Sequence, residues 1–289
     1  MKIVVFGSRG YLGEQFRILY PEAVCPSVDI ADATAVAQVL DDEKPDVVIN
    51  AAGKTGRPNI DWCETHKIET VRSNVTGPLV LLQECSKRGI YWVHLGSGCI
   101  YEGDNGGGGF TEDDAPNFFG SFYSRTKASI DGLLKEFSDE GAGVLVLRLR
   151  MPFDASDSSR NLLIKLVKYP KVLDVKNSLT YLPDFLDAAM TLIERRKTGI
   201  YNVVNPGAIS PYEVMQKYKN IVDEKHVFER LTLDGLPSVV KAGRSNCILS
   251  TEKLAKEGIT LGPVEEAVAD ALTRLATLRG VGTKKLLKV

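Results

Sequence analysis

The stretch SFYSRTK sets Tyr123 and Lys127 four residues apart, a spacing that puts both side chains on one face of a helix. Held there, an ammonium favours the phenolate and lowers a phenol pKa that is ordinarily about 10, which makes an acid–base pair. Upstream, GSGCIYE at 96–102 supplies Ser97, a hydroxyl suited to a carbonyl oxygen, and Cys99 two positions later. A small cysteine at a strand end is ordinarily core filling, so residue type alone leaves the role of this thiol open.

A second chemical signal is GSRGYLG at 7–13, which follows the apolar run IVVF directly. Gly7, Gly10 and Gly13 let the chain turn and bring helix-start amides against a dinucleotide pyrophosphate. The turn as a whole, with Arg9, Tyr11 and Leu12, is therefore assigned to a cofactor. Asp29 lies where an acid would meet a free ribose hydroxyl, whereas Arg9 suits a 2'-phosphate as a planar cation. The expected cofactor is NADPH, with NADH the other option.

These groups must be positioned by a sheet. Apolar runs at 3–6, 46–50, 91–95, 144–150 and 200–204 read as strands, and amphipathic stretches at about 12–20, 33–42, 65–88 and 123–139 read as helices between them. That alternation predicts an α/β chain: a Rossmann-type doubly wound parallel sheet with a smaller C-terminal substrate lobe. The cofactor lobe is expected over 1–150, with a later contribution from about 185–205, and the substrate lobe mainly over 151–289. SPYE at 210–213 has the form of a capping box with proline at the first helical position. The glycine-rich GDNGGGG at 103–109 reads as a flexible loop.

Composition narrows the class further. The chain has 289 residues, 44% of them hydrophobic, and a formal net charge of -1. That balance gives no pull toward nucleic acid, and KKLLK near the C-terminus reads as a short solvated tail. Five cysteines and three scattered histidines suggest neither a disulfide framework nor a metal site, and point to a reducing, cytoplasmic setting. The opening apolar run is too short for a signal-peptide core or a membrane span.

Taken together, the glycine turn, the strand ending in GSG and the Tyr–Lys pair resemble the extended short-chain dehydrogenase/reductases. AAGKTGRPNIDWCE (51–64), GCIYE (98–102), PNFFGSFYSRTK (116–127), LRLRMP (147–152), RNLLIK (160–165), NPG (205–207) and RSN (244–246) narrow the likeness to the plant-type nucleotide-rhamnose synthase/epimerase-reductases. It runs from Met1 to about Ala276, and leaves out the glycine-rich loop.

The resemblance implies a bifunctional enzyme that epimerises C3 and C5 of UDP-4-keto-6-deoxy-glucose and then reduces C4 with NADPH, giving UDP-L-rhamnose. Ser97, Tyr123 and Lys127 match the family's carbonyl-handling trio. Cys99 matches its catalytic cysteine, and Lys165 that cysteine's lysine partner. Both epimerised carbons flank the C4 ketone, so donors that stabilise the enolate oxygen also assist hydride delivery. The thiol would then exchange protons with carbon. Ala51, Ala52, Gly53 and Asn74 match cofactor contacts, and Arg57, Asn161, Arg244 and Asn246 match positions on the nucleotide-sugar side. A homodimer built on the helices at 65–88 and 123–139 is implied as well, with Leu79, Leu82, Leu133 and Phe137 as its candidate seam. Two other readings stay open: a monofunctional dTDP-4-dehydrorhamnose reductase, which Cys99 and Lys165 argue against, and a non-enzymatic dinucleotide-binding regulator.

Overall fold

The computed structural model describes residues 1–139 and 143–281, so the basic tail lies outside the described residues. The strands, in chain order, are β1 (Ile3–Phe6), β2 (Val47–Asn50), β3 (Tyr91–Ser97), β4 (Val144–Leu149), β5 (Pro152–Phe153), β6 (Lys171–Leu173), β7 (Thr180–Tyr181), β8 (Gly199–Asn202) and β9 (Glu229–Leu231). The helices are α1 (Tyr11–Leu19), α2 (Ala33–Glu43), α3 (Asp61–Thr65), α4 (Lys67–Val71), α5 (Gly77–Lys87), α6 (Phe122–Asp139), α7 (Leu162–Leu166), α8 (Leu182–Glu194), α9 (Pro211–Ile221), α10 (Glu252–Lys256) and α11 (Val264–Leu278).

The apolar runs become one parallel sheet in the order β1-β2-β3-β4-β8, with Ile3 opposite Val47, Val47 opposite Tyr91 and Leu145 opposite Gly199. These strands are buried throughout, as parallel strands covered on both faces must be. Alternate residues divide between two cores. Val5, Ile49, Val93 and Leu147 pack against Phe16 of α1 and Phe185 of α8. Phe6, Val48, Trp92 and Val146 meet Leu40 of α2, Leu81 of α5 and Leu134 of α6.

Beyond β1 the chain adds one further bridge, Val24 to Val4, secured by two backbone hydrogen bonds of 2.9 Å. Strand order therefore reverses at β1, and the crevice at the C-terminal end of such a reversal is where doubly wound sheets bind ligands. The glycine turn lies there.

A third core joins α7, α9 and α11 to Phe153 and Tyr181. Around it run two short parallel pairs, β5 with β7 and β6 with β9. The capping box at α9 forms as its sequence implies: Ser210 accepts from the Glu213 amide, and the Glu213 carboxylate accepts from the Ser210 amide. Among the described residues, no helix is long and apolar enough to cross a membrane.

Two local expectations are corrected. The single helix expected over 65–88 is broken after Thr65 and carries a π turn at Arg72–Thr76. The turn directs Asn74 inward, where it is 1% exposed and clamps the loop after β2. Its Oδ1 accepts from the Lys54 amide at 2.7 Å and its Nδ2 donates to the Lys54 carbonyl at 2.9 Å. The glycine-rich 103–109 loop is pinned at both ends. The Gly103 amide donates to Asn246 O, and the Phe110 amide to Ile248 O, each at 2.8 Å. Gly109 adopts φ +76° there, with a Cβ position 2.8 Å from the Ser250 nitrogen, so only glycine permits that approach.

Candidate active site

A cavity of about 820 Å³ opens at the C-terminal end of the sheet and continues toward the core built on α7, α9 and α11. One end is the glycine turn. Gly7 takes φ +77°, and a Cβ on it would stand 2.4 Å from the Ala52 nitrogen; one on Gly13 would stand 2.1 Å from Gly7 O. The turn thus packs directly on the loop after β2. Helix α1 starts behind Gly10 with no side-chain cap, and Gly10, Tyr11 and Leu12 line the cavity. Free first-turn amides facing an open crevice are the chemistry a pyrophosphate requires, so the residues present fit a dinucleotide. Ala51, Ala52, Gly53 and Asn74 border the same space.

A smaller pocket of about 190 Å³ adjoins the turn, lined by Arg9, Ser27, Asp29 and Ser73 among others. Arg9 donates to Ser27 Oγ at 2.8 Å. Asp29 accepts from the Ala31 amide at 2.9 Å and pairs with Arg72 Nε at 2.8 Å. Those two interactions hold its carboxyl below the usual carboxylate range. With Asp29 already engaged by Arg72, the pocket offers the Arg9 guanidinium and one neutralised acid.

The middle of the cavity holds the acid–base groups. Ser97 ends β3, where it is 6% exposed, and accepts from the Cys99 amide at 3.2 Å. Tyr123 and Lys127 share the inner face of α6, where both are buried, and Ser97 lines the same cavity. Burial, with the Cys99 sulfur beside it, pushes the Tyr123 phenol up, and burial pushes Lys127 down to about 8. This corrects the expectation of a depressed phenol. For so buried a phenol, desolvation outweighs the cation, and the Lys127 ammonium donates instead to Leu95 O at 3.2 Å. The phenol is thereby kept as a proton donor.

Cys99 sits half-buried on the wall and accepts from Arg150 Nη1 at 3.3 Å. Lys165 reaches the cavity from α7, and burial, aided by the Arg160 cation, pushes its amine down. Arg244 and Asn246 line the far side. Arg244 pairs with Asp61 at 2.9 Å, while Asn246 donates to Arg244 O and accepts from Asn177.

Two assigned substrate residues fall elsewhere. Asn161 is fully buried and outside the cavity wall. Its amide is consumed by Asp154 O, Asp154 Oδ1 and Ser156 O, and its oxygen caps α7 through the Leu163 amide. It therefore fixes the helix that carries Lys165. Arg57 is exposed and is not part of the lining, whereas Pro58 and Asn59 beside it are. Arg150 and Asn177, which sequence reasoning passed over, do line the cavity. Only the contacts between distant segments reveal them.

Comparison with known proteins shows the family. The family model for the RmlD substrate binding domain matches residues 1–277. A bifunctional dTDP-4-dehydrorhamnose 3,5-epimerase/dTDP-4-dehydrorhamnose reductase of Arabidopsis thaliana is 38% identical over 92% of this chain and 90% of its own. A trifunctional UDP-glucose 4,6-dehydratase/UDP-4-keto-6-deoxy-D-glucose 3,5-epimerase/UDP-4-keto-L-rhamnose-reductase of the same plant is 37% identical over 93% of this chain, which spans 41% of that protein. Among solved structures, the L780 UDP-rhamnose synthase of Acanthamoeba polyphaga mimivirus superposes at TM-score 0.89, with 31% identity over 95% of this chain and 99% of that one. A dTDP-4-dehydrorhamnose reductase of Bacillus anthracis shares the fold at TM-score 0.80 and 20% identity, over 96% and 99% of the two chains. The chain belongs to the RmlD substrate-binding-domain family, in which these relatives are nucleotide-sugar epimerases and reductases.

Proposed function

We infer that the protein is a bifunctional 3,5-epimerase/4-reductase that converts UDP-4-keto-6-deoxy-D-glucose to UDP-L-rhamnose with NADPH. The observation that carries this reading is that one cavity holds both Cys99 and the Ser97–Tyr123–Lys127 trio, with Lys165 reaching in from α7. A reductase receiving an epimerised sugar has no use for the thiol. The relatives' names support the same pair of activities, and the mimivirus enzyme supports the uridine form.

Ser97 and the neutral Tyr123 phenol donate to the C4 oxygen, where charge develops both in the enolate and during reduction. Lys165, whose amine is pushed toward its neutral form, and Cys99 exchange protons with C3 and C5. Lys127 holds positive charge behind the phenol. When bound, NADPH supplies the hydride for C4. Arg9 beside Ser27 suits a 2'-phosphate, and Asp29 is already taken up by Arg72, which supports NADPH over NADH. Arg244 and Asn246 hold the nucleotide diphosphate. The cofactor belongs to residues 1–150 with about 185–205, and the sugar nucleotide mainly to 151–289.

A cytoplasmic homodimer completes the reading. Five unpaired thiols suit a reducing compartment. Of the candidate seam residues, Leu82 is buried in its own core and Leu79 packs partly on it. Leu133 and Phe137 of α6 remain exposed, as do Ile68 and Val71 of the neighbouring α4. A monomer by light scattering at micromolar concentration would end the dimer proposal. The function itself is tested by incubating the protein with UDP-4-keto-6-deoxy-glucose and NADPH and identifying the sugar by NMR. UDP-L-rhamnose is expected; recovery of unchanged 4-keto sugar contradicts the reading.

A further inference from the structure

Two arginines, Arg148 in β4 and Arg150 just after it, are each 1% exposed, yet they are neutralised differently. Arg148 forks onto both oxygens of Asp131, at 2.9 and 2.6 Å. Arg150 meets no carboxylate among its acceptors. Its Nε and Nη2 donate to Asn177 Oδ1, its Nη2 also to Ser245 O at 2.6 Å, and its Nη1 to Ser245 Oγ at 3.1 Å and Cys99 Sγ at 3.3 Å. All five donors of the guanidinium are thereby engaged. A buried cation without a counter-charge is costly, and the sulfur is the one acceptor in this set that is left as an anion on giving up a proton.

The frame around this cation is rigid. Asn177 donates from Nδ2 to Val175 O at 3.0 Å and to Asn246 Oδ1 at 3.1 Å, while its Oδ1 also accepts from the Cys247 amide. The Ser245 hydroxyl donates to Tyr101 O at 2.5 Å. Guanidinium, amide and sulfur are thus fixed by segments that follow β3, β4 and β6 and by the 244–247 stretch.

We propose that Arg150 is the positioning residue for Cys99: it holds Sγ on the cavity wall and balances the thiolate left when the thiol gives its proton to a substrate carbon. The proposal rests on the reading of Cys99 as the proton-exchanging group. In the transfer, the S–H bond breaks, a C–H bond forms with the enolate's electron pair, and the thiolate stays against the guanidinium. The reverse transfer breaks the C–H bond and restores the thiol, so no oxidant or reductant enters.

The other groups facing Cys99 do not replace this partner. Tyr123 of α6 is held as a neutral phenol. Lys127, on the same helix, is turned to Leu95 O. Cys247 donates to Gly98 O at 3.2 Å, and burial pushes its thiol up.

The test reads thiol reactivity and isotope exchange together. Each cysteine's rate of alkylation by iodoacetamide is followed by peptide mass spectrometry at neutral and at strongly alkaline pH. Arg150→Gln is expected to slow Cys99 about tenfold at neutral pH, with the difference vanishing in strong alkali. Arg150→Lys, which keeps the cation, recovers part of the rate. Deuterium exchange at C3 and C5 of the 4-keto sugar falls by a similar factor, and by more than reduction of an already epimerised sugar does. Unchanged alkylation at neutral pH overturns the proposal, as does an equal loss of exchange and reduction, which would make Arg150 a brace for the whole site.

If Arg150→Gln does not fold, the unaltered protein decides. Cys99 should then react at neutral pH faster than the equally half-buried Cys25, whose sulfur faces the Ala23 carbonyl at 3.6 Å instead of a cation. Slower reaction at Cys99 overturns the proposal. Absence of exchange in the wild type would sink the epimerase reading but leave the alkylation comparison valid.

Discussion

The two working walls of the cavity are assembled in different ways. Ser97, Tyr123 and Lys127 stand on β3 and α6, which pack on the same sheet, and the Tyr–Lys spacing is a property of one helix. Cys99, Arg150 and Lys165 stand on three separate stretches, and the Arg150 contacts run across 51 residues to Cys99 and 95 to Ser245. The carbonyl wall is therefore set by secondary structure. The proton-exchange wall depends on contacts between segments far apart in the chain, so changes that loosen those contacts should damage epimerisation before reduction.

The sharpest way to separate the walls is to disable the one both reactions share. Tyr123→Phe removes the donor to the C4 oxygen, and reduction should drop about a hundredfold or more, with exchange at C3 and C5 also slowed and NADPH binding largely kept. Steady-state kinetics and a cofactor titration check this; wild-type turnover would break the assignment. Arg9→Ala touches neither wall. It should weaken NADPH roughly tenfold relative to NADH, as loss of a charge-assisted contact implies, and equal weakening of both cofactors would show that Arg9 does not read the 2'-phosphate.

The smallest effect is a pH dependence of the carbonyl wall. Lys127 is charged below its value of about 8 and loses that charge as pH rises through it. For an already epimerised sugar, kcat/KM should therefore decline by a few-fold above about pH 8. A flat profile would remove Lys127's charge from the account.

How much of this was legible in the sequence follows the same division. The strands announced themselves as apolar runs, because parallel strands buried on both faces have little polar alternation. Tyr123 with Lys127, and Ser210 with Glu213, were legible because their partners are three or four residues away. The π turn at Arg72–Thr76 was not, since it goes with Asn74 reaching back twenty residues to Lys54. The 103–109 loop misled for a similar reason: its composition signals freedom, while its conformation is set by pairing with 246–250. Asn161 and Lys165 belong to one motif, but the cap turns its amide inward and leaves the lysine to face the cavity. Arg150 carried no local signal at all.

The central claim is that one cavity performs two separable chemistries, and heavy water tests it most directly. Supplied with UDP-4-keto-6-deoxy-glucose and ordinary NADPH in deuterium oxide, the wild type should yield rhamnose bearing deuterium at C3 and C5 and none at C4. Cys99→Ala should fail to exchange the 4-keto sugar while still reducing one that arrives epimerised. Exchange at the wild-type rate in Cys99→Ala, or loss of both activities together, would contradict the division of labour between the two walls.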